Sequence, residues 1–121
     1  MTVNAVTIAE VATRLGVKPD TLRWFERHGV VPPPARTGAG HRRYADEDIH
    51  LLEVLLHLRR TGMPLAEITE FTSWVQRDPD GVTERLHLLH RHQERVARTL
   101  EELSAAQAVI ARKITDYQAR C

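Results

Sequence analysis

A chain of 121 residues has room for one compact domain with an appendage. Hydrophobic residues make up 42% and charged residues 27%, a globular balance, but aromatics reach only 5%, few for a thick core or for holding flat ligands. The formal net charge of +1 speaks at first against a nucleic-acid partner, and the one cysteine, Cys121, excludes an intrachain disulfide and a cysteine-built metal site.

Residues 1–5 lack the basic and apolar regions of a secretory leader, and no stretch approaches the roughly 18 consecutive apolar residues of a membrane span. The expected setting is therefore the cytoplasm, away from membranes. From Thr7 to Glu10 the residues fit a capping box, and Ile8, Val11, Ala12 and Leu15 follow at helical spacing until Gly16. Pro19 suits a first helical position, so a second helix is predicted from about residue 19 to 28, stopped by Gly29. Two short helices joined by a Gly-containing turn form a helix-turn-helix.

Val30, Val31 and the three prolines 32–34 predict a stiff, extended connector. The run from Ala35 to Tyr44, with Gly38 and Gly40 and several cations, predicts a hairpin or wing. Asp46, Glu47 and Asp48 open a third helix with acid at the positive end of its dipole. Its predicted inner face is Ile49, Leu52, Leu55, Leu56 and Arg59. A fourth helix is expected from Leu65 to about Trp74, with Leu65, Ile68 and Phe71 inward.

The predicted organisation is a head over residues 5–76, a turn-rich linker at 77–81 and a long helix over 82–118. In the last, Leu86, Leu89, Gln93, Val96, Leu100, Leu103, Gln107, Ile110, Ile114 and Tyr117 alternate in steps of three and four. That is a heptad seam, with Gln93 and Gln107 as its register-setting polar positions. A helix of that length spans about 55 Å at 1.5 Å per residue and needs a partner to bury its stripe.

The charge is unevenly placed. Arg14, Lys18, Arg23, Arg27, Arg36, Arg42 and Arg43 stand against Asp20 and Glu26 alone, a +5 block, while the rest of the chain carries −4. The block coincides with the helix-turn-helix and the wing, as a phosphate-neutralising surface requires.

With these residues in view the sequence resembles the MerR family of transcriptional regulators, in its short type without a large effector domain. The resemblance runs through Ile8-Ala-Glu-Val11, Gly16-Val17, the stretch from Thr21 to Arg27, Gly29-Val-Val31 and Pro33. It continues through Gly40-His-Arg-Arg-Tyr44, Asp48-Ile49, Arg59, Gly62-Met63, Leu65 and Glu67-Ile68. It implies a mainly α fold, a winged helix-turn-helix head with a long C-terminal dimerisation helix paired as an antiparallel coiled coil. The implied function is that of a homodimer on a palindromic promoter operator in double-stranded DNA, activating by distorting the DNA between the elements read by RNA polymerase. The DNA-facing set it implies is Thr7, Lys18, Pro19, Asp20, Thr21, Arg23, Trp24, Arg27, Gly40, His41, Arg42, Arg43 and Tyr44. Within it Arg42 and Arg43 grip phosphate and Tyr44 supports the wing against the domain.

Two positions depart from the family pattern. Trp24-Phe25 replaces the usual Tyr pair or Phe-Tyr, so a phosphate-bonding phenol is absent, Trp24 keeps one N–H and Phe25 is expected in the core. His41 stands where an aromatic or aliphatic residue is frequent. Thiol sensing is not expected, because the third helix reads Leu56-His57-Leu58 and Cys121 is terminal. His87, His90 and Glu94 near His92 offer an incomplete zinc set, and a solvated helix surface is the expected reading. No metal or cofactor is predicted, and no nucleophile–base pair or phosphate loop points to an enzyme. The rival reading is an architectural or interaction protein that binds DNA without effector control.

Overall fold

The computed structural model describes residues 6–121. The leader reading of residues 1–5 and the first residue of the expected head, Ala5, lie outside the described residues. The elements are α1 (Ile8–Leu15), α2 (Pro19–Arg27), β1 (Ala35–Arg36), β2 (Arg42–Arg43), α3 (Asp46–Arg60), α4 (Leu65–Val75) and α5 (Val82–Gln118). This is the mainly α winged helix-turn-helix with a long final helix.

Local chemistry accounts for the element ends. The Glu10 N–H donates to Thr7 Oγ1 at 3.2 Å and the Thr7 N–H to Glu10 Oε1 at 3.4 Å, completing the capping box. Gly16 closes α1 in the left-handed region at φ 69°, where an L side chain is strained. The Ala45 N–H donates to the Asp48 carboxylate at 2.9 Å, and the acidic first turn of α3 matches its dipole.

The core gathers from every helix: Val11, Leu22, Phe25, Val30, Leu55, Ile68 and Leu88 are all less than 2% exposed. Phe25 is an interior residue, as expected. Leu65 is not: as the first residue of α4 it projects beyond the core and is 41% exposed, against the expected inward position. Arg59 also leaves the inner face, its guanidinium lying 5.5 Å from the Trp24 ring and 5.6 Å from the Phe25 ring.

α4 and α5 pack through a tight corner. Gly81 is buried against α4, and a Cβ there would fall on the Trp74 carbonyl, 2.8 Å from its carbon. Leu88 is 1% exposed and belongs to the head's core. The sequence pattern passed over it, because it lies outside the heptad seam. With Leu86 at heptad position a and Leu89 at d, Leu88 and Arg95 fall at c and His92 at g. The head-facing sector of α5 therefore adjoins the seam and reaches into it at Leu89, which packs against the head's core. Leu89 and Val96 are partly covered, while Leu86, Leu100, Leu103, Ile110, Ile114 and Tyr117 are each at least half exposed.

A polar joint ties the arm to the head. Thr61 Oγ1 donates to the His57 carbonyl at 2.8 Å, so at the 2.7 Å contact between Thr61 and His92 it is the ring Nε2–H that donates. His92 Nδ1 then accepts from Arg95 at 3.4 Å, and Arg95 also binds Glu67 at 2.8 Å. The Arg95 hydrogen bond holds the Glu67 carboxyl below its usual pKa. Burial, and then the Arg95 charge, lower the His92 pKa, with Glu67 opposing. His87 and His90 are exposed, and no three His, Cys, Asp or Glu among the described residues form a metal-holding group.

A histidine held neutral contributes its stability above its unfolded pKa, and loses it as pH falls through the lowered folded value. Thermal stability is expected to drop as pH falls below the ordinary histidine value of about 6.5, and His92→Gln should flatten that drop. Identical pH slopes for the two proteins would show that another group titrates.

Candidate nucleic-acid interface

The second helix of the helix-turn-helix and the wing meet around one carboxylate. β1 and β2 pair antiparallel with Ala35 opposite Arg43 and Arg36 opposite Arg42. The turn between them is closed by the Thr37 N–H on the His41 carbonyl at 2.8 Å. Successive strand residues point to opposite faces, so Arg42 turns inward and Arg43 outward. Inward lies Glu26 of α2: Arg42 Nε donates to its carboxylate at 2.5 Å and Arg36 at 3.4 Å, with Arg36 also donating to the Gly40 carbonyl at 2.9 Å. Glu26 is only 12% exposed at its side chain, so both ion pairs are partly sheltered from screening.

The base of the wing is a second anchor. Tyr44 and Val6 exchange two backbone hydrogen bonds of 3.0 Å, and Tyr44 is 4% exposed. Burial raises its phenol pKa above the usual value. Tyr44 is thereby an interior brace, the support of the wing expected of it, and does not join the DNA-facing surface with which it was grouped. Trp24 is also committed to packing: its ring stacks on His28 at 4.2 Å between centroids and meets Phe25 edge-on at 5.8 Å.

The other expected residues divide by what they touch. Thr7, Arg23, Gly40, His41 and Arg42, joined by Ile8 and Arg36, line one groove between the start of α1, α2 and the wing. Arg23 reaches Asp20 at 2.8 Å along the exposed face of α2. Thr21 and Pro19 are half-buried beside it, while Lys18, Arg27 and Arg43 are exposed and form no ion pair among the described residues. Sequence reasoning missed Glu26 and Arg36. Arg36 carried a signal, its place in the +5 block, whereas Glu26 carried none, since its partner Arg42 is 16 residues away.

Chemically, the site offers exposed guanidinium and ammonium groups around a rigid helix–wing corner, a surface suited to a polyanion. A family model described as MerR HTH family regulatory protein matches residues 6–73, and one described as MerR, DNA binding matches residues 49–113. An uncharacterized HTH-type transcriptional regulator of Haemophilus influenzae is 31% identical over 112 residues, covering 93% of this chain and 83% of the relative. The mercuric resistance operon regulatory protein of Bacillus cereus is 30% identical over 114 residues, covering 94% and 83%. Among solved structures, HiNmlR, a MerR family regulator lacking the sensor domain and bound to promoter DNA, superposes with a TM-score of 0.86 at 31% identity, covering 94% of this chain and 90% of that one. A MerR family regulator from Bacillus thuringiensis gives 0.85 at 26% identity, covering 93% and 98%.

Replacing Glu26 by Gln removes the charge that holds two arginines. The expected result is a loss of about 1–2 kcal/mol in unfolding free energy, larger than an exposed pair gives because the carboxylate is sheltered. An unchanged denaturant midpoint would deny Glu26 its role as the wing's anchor.

Proposed function

The chain belongs to the MerR family of helix-turn-helix regulatory proteins and is a DNA-binding transcriptional regulator of that type; from this premise we propose that it works as a homodimer on a promoter operator. The operator has two-fold symmetry, and the protein activates by distorting the DNA between the elements that RNA polymerase reads. The observation that carries the reading is the shared groove, which brings Arg23 of α2 together with Arg36, His41 and Arg42 of the wing.

In this reading α2 enters the major groove with Lys18, Asp20, Thr21, Arg23 and Arg27 toward bases and flanking phosphates. Arg43 grips phosphate from the outer face of the wing, with Gly40 and His41 at its tip. Arg42 takes a different role from Arg43: bound to Glu26, it sets the angle of the wing on α2. Thr7 and Pro19 contribute by fixing the helix starts that face the groove. Cations on both helix and wing offset the elastic cost of bending DNA by binding backbone on both flanks. The exposed seam of α5, from Leu86 to Tyr117, supports the homodimer, since a monomer would leave that stripe in water.

Arg43→Ala is expected to lower the slope of log affinity against log salt by about 1 per half-site, one phosphate contact each. Arg42→Ala should instead lower thermal stability and change the slope less. Equal slope changes for the two would remove the distinction between gripping and positioning.

Run-off transcription from a bound operator with an overlong spacer should rise when the protein is added. Binding without a change in output would favour an architectural protein that uses the same surface.

A further inference from the structure

The basic block holds two acids, Asp20 and Glu26, and the wing accounts for only one of them. Glu26 lies under the wing, its side chain 12% exposed, and binds Arg36 and Arg42. Asp20 is placed otherwise. Its side chain is 87% exposed, among the outward cations Lys18 and Arg27. A carboxylate on a helix laid against DNA repels the phosphates and weakens binding to every sequence alike. Its place in the first turn of α2 suits the helix dipole. The dipole does not explain its partner. Asp20 Oδ1 accepts a hydrogen bond of 2.8 Å from Nη1 of Arg23, three residues along the same face of the helix.

We propose that Asp20 determines base specificity: it holds the Arg23 fork toward guanine and itself accepts a hydrogen bond from the amino group of cytosine. This rests on the reading above that α2 enters the major groove, and adds which bases α2 recognises there.

The ion pair leaves free the groups that such recognition needs. Among the described residues, Nε and Nη2 of Arg23 donate no hydrogen bond and Oδ2 of Asp20 accepts none. The free edge of the fork carries two donors and matches guanine, whose N7 and O6 are both acceptors. Arg23 is also confined before DNA arrives, since it is 39% exposed and lines the groove beside the wing.

Oδ2 requires a donor. In the major groove only the amino groups of cytosine and adenine supply one. Adenine sets the N7 lone pair beside its amino group, where it repels a carboxylate, and cytosine has no acceptor on that edge. Guanine O6 and thymine O4 repel the carboxylate as well. Cytosine is the base that fits. The spacing agrees, because three residues of α-helix rise about 4.5 Å and stacked base pairs about 3.4 Å. Arg23 and Asp20 therefore address one G·C pair or two neighbouring pairs.

Duplexes selected from a random-sequence pool by the full chain give the preferred half-site. It is expected to contain such a G·C pair or pairs, and replacing the cytosine should lower affinity about tenfold. Asp20→Ala should abolish most of that preference while binding random duplex more tightly than the unsubstituted protein does. Asp20→Asn, which keeps a polar first turn, should shift the preference toward adenine, the base that an amide reads. N4-methylation keeps the cytosine paired but takes its donor out of the major groove. It should weaken the unsubstituted protein about tenfold and leave Asp20→Ala nearly unaffected.

A cytosine preference that survives both substitutions, or a cytosine methyl that weakens the unsubstituted protein and Asp20→Ala equally, overturns the proposal. So does an equal loss of affinity for all sequences in Asp20→Ala, which would leave Asp20 only its part in starting the helix. A selected pool with no base preference at all overturns instead the placing of α2 in the major groove.

Discussion

Everything in this molecule is arranged around a helix that its own head cannot bury. α5 runs for 37 residues, and only its first four turns meet the remainder of the chain. From residue 97 onward every residue is exposed, the apolar seam included. Burying a Leu or Ile side chain is worth roughly 1.5–3 kcal/mol, so leaving this row in water is a large standing cost for a small chain. Gly81 lets α4 and α5 close tightly, Leu88 enters the core, and the Thr61–His92–Arg95–Glu67 chain fixes the joint. An arm tied in this way holds a defined angle to the head.

The other end of the head is organised by charge. One carboxylate, Glu26, draws two wing arginines onto α2 and leaves Arg43, Arg27 and Lys18 facing outward. A surface with every cation unpaired would repel itself in the absence of DNA. A surface with every cation paired would have none to offer. The site lies between these limits, because an acid placed under the wing neutralises the inward arginines and a strand's alternation turns the next one out. The net charge of +1 conceals this arrangement, since acidic residues of α3, α4 and the linker, Asp46, Glu47, Asp48, Glu53, Glu67, Glu70, Asp78 and Asp80 among them, cancel the basic block in the sum.

Much of this was legible in the sequence. The capping box at Thr7 and Glu10, the stop at Gly16, the proline start of α2 and the acidic start of α3 are all local devices, encoded within a few residues of where they act. The seam was equally plain, because its repeat is a property of one helix. The errors share a cause. Leu65 has the inward spacing of α4 but is 41% exposed, with the buried Met63 and Ile68 on either side of it in the chain. Leu88 lies off the seam yet inside the head.

What the sequence determined by itself was therefore the set of elements, their ends, the periodic stripe of the arm and the place of the basic block. Each depends on backbone preferences, helical period or composition over short stretches, and needs no knowledge of what lies across the fold. The tertiary structure decided which cations are held and which are offered, which histidine is buried, and which sector of α5 belongs to the head. Those outcomes depend on contacts such as Arg42 with Glu26, 16 residues apart, and His92 with Thr61, 31 apart. No local pattern marks such a pair, because the partners become neighbours only once the helices have packed.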